Sequence, residues 1–201
     1  MKRLLTILIL IFTLQTPSQA DDIRDFQIEG MSIGDSLLDF LSEEEIEKKI
    51  NHNTSYWYPN KTFVSIGTMS ESEKYKIYED VGIIIKPNDK KYIIYALEGT
   101  FYFDDKIDKC YKKQKEIVKD LKEMFSNTGS INEYDVKYLG DKSGKSKIRS
   151  VDILFKDKSA VRVVCYDMSK ELNDDNNPDA LYAIINSSEF MIWLNENMRA
   201  P

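Results

Sequence analysis

The chain has 201 residues, of which 28 are Lys or Arg and 34 Asp or Glu, for a formal net charge of -6 with one histidine and two cysteines. This length supports one domain with its own core, and the acidic balance argues against nucleic acid, whose binding rests on a basic surface that neutralises phosphates. The sequence carries no C-x-x-C, no HExxH and no Cys/His cluster, so neither a metal nor a cofactor is expected.

Lys2 and Arg3 precede an apolar stretch from Leu4 to Leu14, and Ser18 and Ala20 set small residues three and one before a cut. This pattern predicts a secretory signal peptide over residues 1–20 and a single mature domain over 21–201. The stretch falls short of the ~20 apolar residues that a bilayer crossing needs. No later segment approaches that length, so no membrane span is expected in the mature chain. Loss of Lys2 and Arg3 leaves 26 basic against 34 acidic residues, a net charge of -8. The expected location is periplasmic or secreted.

Ser32 is placed to cap a short helix over 33–41, with Ile33, Leu37, Leu38 and Leu41 facing a core. Ser42-Glu43-Glu44-Glu45 then spells a capping box for a second helix to about Ile50. Strands are expected over 62–69, over 75–86 with an interruption at Glu79-Asp80, and over 91–103, the last two joined by a turn at Pro87-Asn88-Asp89-Lys90. The third of these is apolar on both faces, which marks it as central.

From Lys106 to Phe125 the residues Ile107, Cys110, Gln114, Ile117, Val118, Leu121, Met124 and Phe125 fall on one stripe of a long helix. The stretch 134–139 and a polar loop over 140–147 follow, and then strand patterns at 148–155, 160–166 and 181–185, with period-2 alternation clearest in the first two of these. Ser187 or Ser188 caps a terminal helix. Condensed, this is a three-stranded meander, a long helix, two or three more strands and a final helix. The expectation is an α+β domain: an antiparallel sheet of five to six strands with the short N-terminal helices, the long helix and the C-terminal helix packed on one face.

Gly30-Met31-Ser32-Ile33-Gly34 fits G-x-S-x-G, and Gly34-Asp35-Ser36-Leu37 resembles the opening block of the GDSL hydrolases. That resemblance implies a serine nucleophile, an α/β/α sandwich and a catalytic histidine near the C-terminus. Here the single histidine is His52, in a polar loop, and no long strand precedes Ser32 to form the elbow. Without a general base a serine keeps an ordinary, weakly nucleophilic hydroxyl. A serine hydrolase on Ser36 or Ser32 with His52 is therefore the alternative, and no catalytic residue is assigned. The run from Ile28 to Ser36, I-x-G-M-S-I-G-D-S, also resembles the start of uncharacterised small exported bacterial proteins and of domains of the BamE and β-lactamase-inhibitor-protein type. The latter resemblance implies helices on an antiparallel sheet and action through protein contact.

Cys110 lies on the inward stripe of the long helix and Cys165 on an alternating strand face; in an oxidising compartment they either pair or remain isolated buried thiols. The oxygen-rich run Asp174 to Asp179 lacks the glycine and glutamate of a calcium loop at its sixth and twelfth positions, where Asp179 and Ile185 stand, and reads as a solvated loop. Tyr56-Trp57-Tyr58 is the candidate binding surface, since aromatic residues are enriched at interfaces; the competing reading is that they cover one end of the sheet. The functional expectation is a non-catalytic exported domain that binds an envelope protein or a small ligand.

Overall fold

The structure, a computed structural model, describes residues 23–67, 76–104, 106–125, 129–172 and 178–198. The expected signal segment and most of the acidic loop at 174–179 lie outside the described residues.

Eight strands form one antiparallel sheet: β1 Tyr56–Trp57, β2 Val64–Gly67, β3 Asp80–Ile85, β4 Ile94–Asp104, β5 Gly129–Lys137, β6 Lys147–Phe155, β7 Ala160–Asp167 and β8 Asp179–Asn186. Their lateral order is β1-β2-β3-β4-β8-β7-β6-β5. Two four-stranded meanders thus join where β8 pairs with β4, from Ala96↔Asn186 to Asp104↔Asp179. The helices are α1 Glu43–Ile50, α2 Ile107–Met124 and α3 Ser188–Asn197. Helix α2 carries the chain from the middle of the sheet to its far edge.

The sheet is larger than the expected five to six strands, though the class remains α+β. Two physical effects account for the difference. Tyr56 and Trp57 pair with Ser65 and Val64 over a stretch too short to show any alternation. Strand β5 is exposed along almost its whole length, yet its backbone pairs with β6 from Gly129↔Phe155 to Lys137↔Lys147. Ladder hydrogen bonds, not a buried face, make it a strand.

The helices also divide between the two faces, where packing on one face was expected. On the first face Val64, Ile66, Val81, Ile83, Leu97, Val161, Val163, Leu181 and Ile185 bury against Ile46 and Ile50 of α1 and Cys110, Val118 and Leu121 of α2. On the second, Phe190 of α3 packs with Phe63, Ile84 and Ala96, joined by Tyr58, Tyr95, Trp193 and Leu194. The apolar second face of β3 and β4 needed a cover, and α3 supplies it. A bulge at Tyr95, between the pairs Ile85↔Ile94 and Ile84↔Ala96, switches the side-chain parity of β4.

The opening segment departs from the expected helix over 33–41. Gly34 N–H donates to Ile94 O at 3.0 Å, Ile94 N–H to Asp35 O at 2.9 Å and Leu37 N–H to Tyr92 O at 3.0 Å, so the chain pairs with the entry to β4. Gly34 at φ +91° cannot continue a right-handed helix. Only a single 3-10 turn, Leu37–Asp39, forms, and Ser36 rather than Ser32 caps it. The capping box of α1 forms as its sequence implies, Ser42 and Glu45 satisfying each other's backbone amides.

Cys110 of α2 and Cys165 of β7 are bonded, with a Cα–Cα separation of 6.1 Å. Next to this link the buried Gln114 amide donates to Arg149 O at 2.9 Å and Val163 O at 2.8 Å, tying α2 to β6 and β7. Among the described residues, no helix is long and apolar enough to cross a membrane.

Candidate functional site

The second face beyond α3 is covered by its own side chains. One lateral row crosses it through the registered pairs Gly67↔Gly82, Gly82↔Glu98, Glu98↔Ile184 and Ile184↔Arg162, ending on Asp152. The two acids in this row, Asp152 and Glu98, are handled differently. Arg162 grips Asp152 with two hydrogen bonds, Nε to Oδ1 at 2.9 Å and Nη2 to Oδ2 at 2.7 Å. Ser150 Oγ and Tyr134 OH donate to the same carboxylate at 2.6 and 3.0 Å. A buried carboxylate with a bidentate guanidinium and two hydroxyl donors is fully served.

Glu98, at the centre of β4, has no such company. It is half-buried, and among the described residues no cation pairs with it and no donor hydrogen-bonds to it. Its surroundings are aromatic: Tyr138, Tyr166 and Tyr182, with Met168, Pro178 and Ile184, line with it a cleft of about 240 Å³. The three rings form a run of edge-to-face contacts, Tyr138 to Tyr166 at 6.1 Å and Tyr166 to Tyr182 at 5.2 Å between centroids. Burial, and then the negative charge of Asp80, push the Glu98 carboxyl up to about 7. Burial together with the Glu98 charge likewise raises the hydroxyls of Tyr58, to about 12, and of Tyr166 and Tyr182. Tyr102, raised to about 12 by burial and by Asp80, closes the row above with its hydroxyl 3.5 Å from an Asp80 oxygen.

The predicted aromatic cluster is split by the sheet. Tyr56, 53% exposed, and Tyr58 belong to the second face. Tyr58 packs edge-on against Tyr56 at 4.9 Å, Phe190 at 5.3 Å and Trp193 at 5.6 Å. Trp57 pairs with Val64 of the first face and has Lys61 Nζ 5.6 Å from its ring centroid. Tyr58 therefore stands between the α3 cluster and Glu98, whereas Trp57 is turned away. Tyr58 thus packs over one end of the sheet, while Tyr56 leaves more than half of its surface exposed.

The residues of the hydrolase motif are engaged elsewhere. Ser36 Oγ donates to Lys91 O at 2.7 Å, Ser32 Oγ to Arg24 O at 3.0 Å, and His52 Nδ1 meets Thr54 Oγ1 at 2.8 Å. Among the described residues no hydrogen bond joins either serine to His52.

A larger concavity, about 990 Å³, lies between α2 and the β5–β6 edge and is lined by Lys115, Lys119, Lys122, Glu123, Glu133 and Arg149 among others. Its charges largely answer one another, through Lys122–Glu133 at 2.6 Å, Arg149–Asp135 at 3.0 Å and Lys119–Glu123 at 3.8 Å. The smaller cleft holds Glu98, whose charge finds no such answer among the described residues. Sequence reasoning passed over Glu98, although one signal was present: a charged residue between Leu97 and Gly99 in a strand read as central and apolar on both faces.

No protein-family model, curated protein or solved structure matches this chain.

Proposed function

We propose that this chain is a non-catalytic exported binding domain, periplasmic or secreted, that holds a small ligand or a segment of an envelope protein on the second face of its sheet. The carrying observation is Glu98, a half-buried carboxylate with no partner among the described residues, set in a tyrosine-walled cleft. Burying a charge without a partner costs several kcal/mol, and strain of that kind concentrates at sites of function. Tyr56 and Tyr58 extend the same face toward β1 and provide the rigid aromatic area typical of contact surfaces. The disulfide suits an oxidising compartment. The resemblance of the Ile28–Ser36 stretch to exported domains that act by protein contact agrees with this reading.

Photo-crosslinking side chains placed at Tyr56, at Tyr166 and, as a control, at the exposed Lys115 of α2 test it in extract from the native extracytoplasmic compartment. Specific adducts are expected at the first two positions and not at the third. Adducts only at Lys115, or none at Tyr56 and Tyr166, overturn the assignment of the second face.

A further inference from the structure

Resting on the reading of the second face as a binding surface, we infer that the Glu98 cleft takes an organic ammonium group. Three observations converge on that chemistry. Among the described residues Glu98 is a carboxylate without cation or donor, and Arg162, in the same lateral row, is committed to Asp152 by two hydrogen bonds. Asp80 adds a second negative charge beside it, so the cleft repels anions and leaves neutral ligands to meet a charge they do nothing to balance. The walls are the rings of Tyr138, Tyr166 and Tyr182 with Met168, Pro178 and Ile184, and aromatic surfaces attract a cation through the ring quadrupole.

A hard metal ion is the poorer fit. Such ions take six or more oxygen ligands, and no group of three or more His, Cys, Asp or Glu suited to a metal occurs among the described residues. An alkylated or primary ammonium needs one counter-charge and apolar walls, which this cleft has. At about 240 Å³ the cleft lies below the range of roughly 300–1,000 Å³ usual for whole drug-sized ligands, so it suits an ammonium head with its body outside.

Binding is measured at pH 8 on the oxidised full chain by tyrosine-ring NMR shifts, with choline, with N-acetyl-lysine methylamide and with 3,3-dimethylbutan-1-ol, the neutral isostere of choline. At least one ammonium compound is expected to shift Tyr166 and Tyr182 saturably. Glu98→Gln is expected to weaken it by roughly tenfold or more, the loss of one charge contact in a partly desolvated site, with the remaining spectrum unchanged. A tighter choline points to a free quaternary amine, and a tighter lysine amide to a lysine side chain of a partner protein. Equal binding of the neutral isostere, undiminished binding by Glu98→Gln, or no saturable shift with either ammonium overturns the inference. Failure here with specific crosslinks at Tyr56 and Tyr166 removes the ammonium chemistry alone; failure of both removes the second face as a binding surface.

Discussion

Glu98 ionises near its ordinary value of 4.5 in the unfolded chain but only near about 7 in the folded one, because burial and then Asp80 oppose its charge. Between these limits the native state binds more protons than the unfolded state, so stability falls as pH rises. The contribution of the neutral carboxyl is fully present below about 4.5 and is lost as pH climbs through about 7. Glu29 runs the other way: burial opposes its charge, but backbone N–H bonds from Lys76, Tyr78 and Ile77 hold its carboxyl below the usual value, so its contribution is lost as pH falls. The difference between wild type and Glu98→Gln isolates the first effect. Urea midpoints measured from pH 5 to pH 8 should decline for wild type relative to the variant, and by pH 8 the variant should be more stable by on the order of 1–3 kcal/mol. Parallel profiles would mean that Glu98 ionises as an ordinary surface acid. Gln114, read from the sequence as one member of a helix stripe, shows the same limit of sequence reasoning. Its place on the inward face was legible; its double donation to Arg149 O and Val163 O was not, since those carbonyls come from two distant strands.

At the level of elements, local chemistry was read best where the chain satisfies itself. Ser42 and Glu45 make the capping box that starts α1, and Ser187 accepts from Phe190 N to start α3. Each signal lies within four residues and needs no tertiary partner. Ser42→Ala should therefore cost about 1 kcal/mol, seen as a lower midpoint in thermal melts followed by circular dichroism. Ile131→Ser on β5 should stay within about 0.5 kcal/mol of wild type, because that side chain is already 40% exposed and β5 is held by its backbone. If the β5 variant were the more damaging of the two, its side chains would have a role beyond the ladder. The stretch 33–41 failed as a helix for the opposite reason. Its amides find carbonyls near residues 92–94, an alternative that helical periodicity does not register.

Across the whole molecule, α2 is the crossover that lets two meanders become one sheet, and its bond to β7 closes a loop with a sequence separation of 55 residues. In the chain-entropy treatment such a closure stabilises by about 4 kcal/mol. The Cys110→Ala, Cys165→Ala double variant should lower the urea midpoint correspondingly, and mass spectrometry of the unreduced chain should find no free thiol; two free thiols would remove the link. The sequence alone determined what depends on neighbours along the chain: the α+β class, the stripe of α2, the caps of α1 and α3, the turn between β3 and β4, and the inward placement of both cysteines. Only the tertiary structure decided the strand order, the division of helices between the two faces, and which acid goes unanswered. Alternation tells a strand that it has two faces, but not what will cover them. Gly82, Glu98, Ile184 and Arg162 become lateral neighbours across four strands, so the isolation of Glu98 is set by contacts that no local pattern encodes.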